Sequence, residues 1–588
     1  MEKIASYVNK GRTIKELIYN AAGEFPQRYA FRFKEDGEIK GRTFTELIEN
    51  IESFGTGMIL RGYDDCRIGI IGENSFPWFL TFLSAVCGGN IAVPFDKGLT
   101  ETELETCVAR SGIKVLFYDK RFQNVVDHIK AQHGDKVDFI CMAGEGSLSQ
   151  TIMEEGRKAL DAGENRYLSK KVSEEDTAVF LFTSGTTSDS KIVMLSHHNI
   201  ASNIRDMLEM EIFFPTDVNM AFLPFHHSFG LVGCLVFLSS GADNVFCDGL
   251  KYVQKNFAEY KVSVFVGVPL LVENLYFKVM KQIEKQGKTK TVNTGLKPSK
   301  FLRKVGLDMR RKIFGEIIDK LGGSLRLIIS GAASLDPAVS EGLNNFGIST
   351  IQGYGLTETS PVLTAERPWA VSPGSVGTPM NSVKIRIEEK DENGIGEIVA
   401  QGPNVMQGYY NQPEETAKAI VDGWFYTGDL GKIDGKGNLI ITGRKKNVIV
   451  LKNGKNVFPE EIEEMIMKLP YVSECMMFTR EKHNELVLWC EIVYEPALLE
   501  EESITREQLA VILYRYATYQ GYNVSQRADL SGFVDAGTIS TYAQEALSWA
   551  NAQGLVLGFE DDSLRPQGNA SRAQIAAVLM RFCQTVAE

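Results

Sequence analysis

Thr183-Ser184-Gly185-Thr186-Thr187-Ser188-Asp189-Ser190-Lys191 is the stretch on which the reading of this chain turns. It follows an apolar run, Ala178 to Phe182, that reads as a buried parallel strand. A strand that runs into hydroxyl-bearing residues, one glycine and a lysine has the chemistry of a phosphate cradle. Gly185 lets the backbone approach a ligand, the Ser and Thr hydroxyls donate to phosphoryl oxygens, and Lys191 adds a point charge. The generic P-loop spacing is absent, because no second glycine precedes the lysine. Taken alone, the stretch reads equally well as a polar surface loop.

Upstream, strand and helix patterns alternate. Thr43 to Leu47 opens a helix, Arg67 to Ile71 is a short apolar strand, Trp78 to Cys87 is helical and Ile91 to Pro94 is the next strand. The alternation resumes downstream with Ser263 to Val268 and Leu325 to Ile329. This order predicts an α/β fold whose parallel sheets are covered by helices. In such sheets ligands sit beyond the carboxyl ends of strands. Ser330-Gly331-Ala332-Ala333 follows one strand directly, and its small side chains would let a flat ring lie against the backbone. Gly353-Tyr354-Gly355-Leu356-Thr357-Glu358-Thr359 offers an aromatic face, a hydroxyl and a carboxylate suited to a purine, a phosphate and Mg²⁺. Asn381 to Asp429 reads as a small β subdomain with a hairpin turn at Asn393-Gly394. Asp429, near its end, suits a ribose diol, or else caps its own turn.

At 588 residues the chain exceeds one core, so about two to four domains are expected. A net charge of −12 argues against a nucleic-acid partner, which requires excess Lys and Arg. The nine cysteines are scattered without a CxxC pair, which suits a reducing compartment and neither a disulfide frame nor a zinc site. The first 23 residues carry charge throughout, and the apolar run Phe229 to Ala242 is too short to span a bilayer. A cytoplasmic location is the expectation. Lysines crowd Lys278 to Lys304, with Glu284 the only acid among them. Such runs are usually solvated insertions; the alternative is a peripheral contact with an anionic membrane or with coenzyme phosphates.

Five motifs stand in the order found in the adenylate-forming (AMP-binding) superfamily: Thr183 to Lys191, Leu223 to His227, Ser330 to Ala333, Tyr354 to Glu358, and Tyr426 to Asp429 with Arg444. From about Thr13 to Glu495 the chain resembles that superfamily, and most of all its long-chain fatty acyl-CoA synthetases, through Val266 to Pro269 and the basic insertion. It departs from the family at Ser188, where glycine is usual, and at Ser190-Lys191-Ile192, where proline-lysine-glycine is usual. Loop flexibility and ATP affinity are therefore where this chain is expected to differ.

The resemblance implies roles by position. Thr183, Ser184, Gly185, Thr186, Thr187 and Lys191 would hold the phosphates of ATP. Gly331, Ala332, Ala333, Tyr354 and Gly355 would surround adenine, Thr357 would meet the α-phosphate, and Glu358 would bind Mg²⁺. Asp429 and Arg444 would hold the ribose, and His227 would lie between nucleotide and acyl pocket, with no role assigned to His226. Lys446 or Asn447 would be the hinge of a rotating C-terminal domain whose Gly454 approaches coenzyme A. The implied reaction converts a medium- or long-chain fatty acid to an acyl-adenylate and then to its coenzyme A thioester. An acyl carrier protein is the alternative acceptor.

The pattern breaks near its end. Relatives carry a late lysine that serves adenylation, whereas here no lysine follows Lys482, so impaired adenylation is expected. Domains are expected at 1–443, 444–495 (a truncated α+β C-terminal domain) and 504–588, with 496–503 as an acidic linker. In the tail, Ile504 to Ala510 recurs as Ala570 to Ala576 at an offset of 66 residues, each with an S/T-x-x-Q capping box. This mostly helical tail resembles S-layer homology modules, one partial and one whole. Such modules imply binding to cell-wall polysaccharide if the chain is exported. A fusion of unrelated sequences is the expected origin of the pairing.

Overall fold

The computed structural model describes residues 7–142, 147–183, 190–210, 212–288, a few between 292 and 299, 307–450, 456–467, 472–482, 485–494, 504–519 and 522–586. Among the described residues, the large domain holds two main sheets. The first has seven strands, with Ile91–Pro94 at its centre; beside it Arg67–Ile71 pairs with Ile91–Pro94 and Val115–Tyr118, all parallel. The strand Thr177–Phe182 pairs in parallel with Ile91–Pro94 on one side, but on the other it forms an antiparallel hairpin with Ile192–Ser196. The expectation of a purely parallel strand is corrected there. A buried apolar run looks the same from sequence whichever way its neighbour points.

The second sheet has nine strands, and its interior is parallel in the order Ser349–Gly355, Leu327–Ser330, Val264–Gly267, Val218–Ala221, Asp243–Phe246 and Tyr29–Glu35. Helices fill the space around the sheets. Phe44–Leu60 starts at a capping box made by Thr43 and Glu46, and Phe76–Cys87 at Ser75 with Pro77 in its first turn. Trp78, Phe79 and Phe225 meet in the largest core, with ring centroids 5.0–6.2 Å apart. The apolar run around residue 230 is the helix Ser228–Ser239, buried almost all round. Each large side chain it buries contributes ~1.5–3 kcal/mol, which makes it a core helix. No helix among the described residues is long and apolar enough to cross a membrane.

The small β subdomain has the predicted hairpin, Lys384–Glu388 with Gly396–Gln401. Its long strand Trp424–Ile433 pairs with both Gly396–Gln401 and Leu439–Arg444. Asp429 therefore lies within a strand, opposite Arg444, and the turn-capping alternative is set aside. The chain divides into two compact units between Lys446 and Asn447, three residues beyond the expected boundary and at the expected hinge pair.

In the second unit, the helix Pro459–Met467 precedes a long hairpin of Val472–Lys482 and Glu485–Tyr494. The tail gathers the helices Arg506–Tyr519, Gln544–Ala552 and Arg572–Thr585 around Leu513, Leu547, Trp549 and Phe582. Both repeated segments begin with the capping box expected of them. They start side by side, joined by a bridge between Thr505 and Asn569. The charged pair in the first copy points inward: Glu507 accepts from Ser540, Tyr542 and Gln567, while Arg506 donates to the carbonyls of Leu557 and Leu564. Such buried charges require these partners, so they pin the fold of the tail.

Candidate active site

Thr183 and Lys191 close the hairpin between the strands 177–182 and 192–196. The Thr183 N–H donates to the Lys191 carbonyl at 2.9 Å, and the Lys191 N–H returns to Thr183 Oγ1 at 3.0 Å. Ser184, Gly185, Thr186 and Thr187 lie outside the described residues. The far end of the loop is held from below by Arg110, whose guanidinium donates to the Ser190 carbonyl at 2.6 Å and to its hydroxyl at 3.2 Å. Nothing in the local pattern of the helix Glu101–Ser111 marks Arg110 for this contact.

A single cavity of about 1190 Å³ brings together Thr183, Lys191, His227, Gly331, Ala332, Tyr354, Gly355, Thr357, Glu358, Asp429, Arg444 and Lys446. Ala333 is exposed and is not part of its wall. Gly454 lies outside the described residues, and Asn447 begins the other unit, where its side chain donates to Glu460.

Backbone constraints shape this wall. Ala332 has φ of +71°, a left-handed conformation that a side chain seldom adopts, held at the end of the strand Leu327–Ser330. At Gly355 a Cβ would stand 1.7 Å from the Pro361 carbonyl, so only glycine fits.

Asp429 is the centre of one polar cluster in the wall. Its Oδ2 accepts from the Tyr354 hydroxyl at 2.6 Å, and its Oδ1 lies 3.4 Å from Arg444 Nε. Burial, then the Asp429 charge, pushes the Tyr354 phenol far above its usual range, so it remains a donor. The cross-strand pairing of 429 with 444 sets a carboxylate beside a guanidinium, an acceptor and a donor suited to a diol.

Around Lys191 the side chains form a continuous chain. Lys191 Nζ pairs with Glu415 at 2.7 Å and sits 4.5 Å from the centre of the Tyr409 ring. The Tyr409 hydroxyl donates to Glu358 Oε1 at 2.9 Å. Lys191 and then Lys418 draw the Glu415 carboxyl down to about 2. Thr357 Oγ1 lies 3.4 Å from Ser228 Oγ, in the first turn of the helix Ser228–Ser239, and that turn forms part of the cavity wall. The exposed amides of a helix N-terminus favour anions there. Sequence reasoning missed Tyr409, Glu415, Arg110 and Ser228, all brought in by strands and helices far away in the chain.

If Lys191 holds a phosphate of ATP, as the resemblance implies, Glu415 would compete for it. Replacing it with glutamine is expected to lower the KM for ATP about two- to fivefold, the scale of an exposed ion pair. Steady-state kinetics at varied ATP would show it. A raised KM would mean that Glu415 positions the lysine instead.

The same cavity also has an apolar lining that includes Met207, Met210, Phe213, Gly233, Val236 and Phe237. Burial lowers the pKa of His227. His226, left without a role by the sequence, has its Nε2 3.1 Å from Asp96 Oδ1.

This fold and cavity define an adenylate-forming α/β enzyme. A profile of the AMP-binding enzyme family matches residues 18–410, the greater part of the chain, and the chain belongs to that family. A profile of the AMP-binding enzyme C-terminal domain matches 446–512, reaching past the hairpin into the helix that begins at Arg506, and one of the S-layer homology domain matches 532–576. Among curated relatives, the peroxisomal long chain acyl-CoA synthetase 7 of Arabidopsis thaliana is 27% identical over 77% of this chain and 68% of its own. Long-chain-fatty-acid–CoA ligase 5 of Rattus norvegicus is 28% identical over 79% of this chain and 72% of its own. ATP-bound MatB from Rhodopseudomonas palustris superposes with a TM-score of 0.66 at 24% identity, covering 84% of this chain and 91% of that one. O-succinylbenzoate coenzyme A synthetase from Bacillus subtilis, in complex with AMP, gives 0.65 at 20%, covering 86% and 91%. At these identities the two structures speak for the fold.

Proposed function

We propose that the chain uses ATP to convert a medium- or long-chain fatty carboxylate to its acyl-adenylate and then transfers the acyl group to coenzyme A. The observation that carries this reading is one cavity lined both by polar and charged residues (Lys191, Thr357, Glu358, Asp429, Arg444) and by apolar ones (Met207, Phe213, Val236, Phe237), with His227 also in its wall. Asp429 and Arg444 would take the ribose hydroxyls, Tyr354 and the Gly331-Ala332 turn would flank the adenine, and Lys191 and Thr357 would hold phosphate oxygens. The substrate carboxylate attacks the α-phosphorus and pyrophosphate leaves. The coenzyme thiolate then attacks the acyl carbonyl and AMP leaves. The main demand of the first step is neutralisation of charge on the transferring group.

Glu358 fits Mg²⁺: it is a carboxylate on the cavity wall with one oxygen steadied by Tyr409, and magnesium is commonly held by one or two carboxylates together with substrate phosphates. Bound there, the ion would supply positive charge to the phosphates. Rotation of the second unit about Lys446-Asn447 would bring its residues to the thioester step. The need for ATP favours a cytoplasmic location.

The test is pyrophosphate release and thioester formation across a series of fatty acids, with coenzyme A exchanged for acyl carrier protein to separate the two acceptors. Release without dependence on any fatty acid would sink the proposal. A finer test is Gly233→Leu. A Cβ at Gly233 meets only Val266, at 4.0 Å, so the added side chain would enter the apolar end without disturbing the helix. It is expected to cut the kcat/KM for long chains about tenfold relative to short ones, the scale of a pocket contact.

A second reading is favoured by the S-layer homology match: the tail anchors the chain to cell-wall polysaccharide. Failure to sediment with purified walls would remove it.

A further inference from the structure

His227, in the cavity wall, also belongs to a group of potential metal ligands. Asp96, His226 and His227 each offer one ligand atom within 4.8 Å of the others, and among the described residues no other group of three or more His, Cys, Asp or Glu is so placed. The group is assembled from two segments. Asp96 follows the strand Ile91–Pro94, and the two histidines end the turn that leads into the helix Ser228–Ser239.

We propose that Asp96, His226 and His227 bind one divalent transition-metal ion of the zinc type, and that its occupation controls access to the acyl end of the cavity. The proposal goes beyond the acyl-CoA ligase reading; only its consequence for activity rests on that reading.

The donor set is two imidazoles and one carboxylate, which suits a borderline ion such as Zn²⁺ and not Mg²⁺. Three protein ligands leave a fourth position for water, as in open zinc sites. Ligand atoms around a tetrahedral zinc, each at ~2.0–2.1 Å from it, lie roughly 3.3 Å apart. Side-chain rotations that close about 1–1.5 Å would therefore complete the site, well within the reach of adjacent rotamers. The histidine rings are already close, with centroids 4.3 Å apart.

The surroundings suit an ion arriving from water. The Asp96 side chain is 45% exposed and that of His226 is 8% exposed, so the carboxylate faces the entry and the buried ring forms the floor. The nearest cation, Lys97, is engaged by Glu73, which also pairs with Arg121. Asp96 Oδ1 also accepts from the Gly98 N–H at 2.8 Å, which holds the carboxylate in place. His226 would bind through Nε2 with its single proton moved to Nδ1, so the imidazole stays neutral and no proton is lost. Because His227 also lines the cavity, a bound ion would hold that ring in place on its wall, and on the acyl-CoA ligase reading that ring stands between nucleotide and acyl chain.

The test is equilibrium titration of the full chain with Co²⁺ alone, read by visible absorption, followed by displacement with Zn²⁺. One Co²⁺ is expected to bind with a d–d spectrum of nitrogen and oxygen ligands and to be displaced by Zn²⁺. Asp96→Asn and His226→Gln should each weaken binding about tenfold or more, given that even outer-shell partners change affinity by 10–100-fold. Zn²⁺ should raise the Tm of the wild type and leave that of Asp96→Asn unmoved. The substituted amide retains an oxygen acceptor for the Gly98 N–H, so this variant keeps its fold and serves as the control. Unchanged affinity in both variants, or a thiolate-to-cobalt charge-transfer band showing capture by cysteines, would overturn the proposal. If the ion binds as expected but pyrophosphate release is unaffected, the site stands and its control of access is overturned.

Discussion

Asp429→Ala is expected to weaken ATP binding about 10²-fold. A hydrogen bond to a charged group contributes ~1.5–3 kcal/mol, and Asp429 would accept both ribose hydroxyls while already accepting from Tyr354. Removing the carboxylate also strands the half-buried Tyr354 phenol, whose pKa is held so high that it can only donate. Asp429→Asn keeps an acceptor for Tyr354 and loses only the charge, so a change of about tenfold is expected there. Titration calorimetry with ATP reads both variants directly, without dependence on turnover. If the alanine variant binds ATP within about threefold of wild type, the nucleoside assignment fails. If the two variants are equally weak, the effect comes from charge alone and not from the link to Tyr354.

The second large effect concerns the first chemical step. No lysine occurs after Lys482 in this sequence, and by its resemblance to the family we propose that the late positive charge serving the adenylation transition state is missing. Loss of one preorganised donor commonly costs about 10²–10³ in rate. Pyrophosphate release from ATP and fatty acid is therefore expected to be slower by about that factor than in a relative that retains the lysine. Thioester formation from supplied acyl-adenylate should not be slowed, because it bypasses that transition state. Equal pyrophosphate release in the two enzymes would defeat the impairment claim.

Elements with strong local signals are legible in the sequence. Arg67 to Ile71 and Ile91 to Pro94 are strands over the very residues that read as such, because short apolar runs flanked by polar turns leave little choice of boundary. The capping boxes at Thr43, Thr505 and Ser571 each start a helix, since the side chain satisfies amides that would otherwise be left open. Pairing partners are not legible. The strand 177–182 reads as parallel throughout, yet it is one arm of a hairpin, a matter settled by which neighbour it meets. Asp429 reads as a ribose ligand or a turn cap, and only the strand pairing sets it across from Arg444.

Order and spacing of motifs along the chain determined the class of fold, the nucleotide-binding vocabulary and the presence of a tail resembling S-layer homology modules, because those features reside in contiguous residues. The tertiary structure alone decided that Lys191 meets Glu415 and Tyr409, that Tyr409 reaches Glu358, that Arg110 holds Ser190, and that His226 turns toward Asp96. Each of these contacts joins residues from 51 to 224 positions apart, and no periodicity or turn rule couples such distant side chains. They exist because burying two sheets against a common core brings distant segments of the chain together, where polar side chains pair with whatever charge the fold sets beside them.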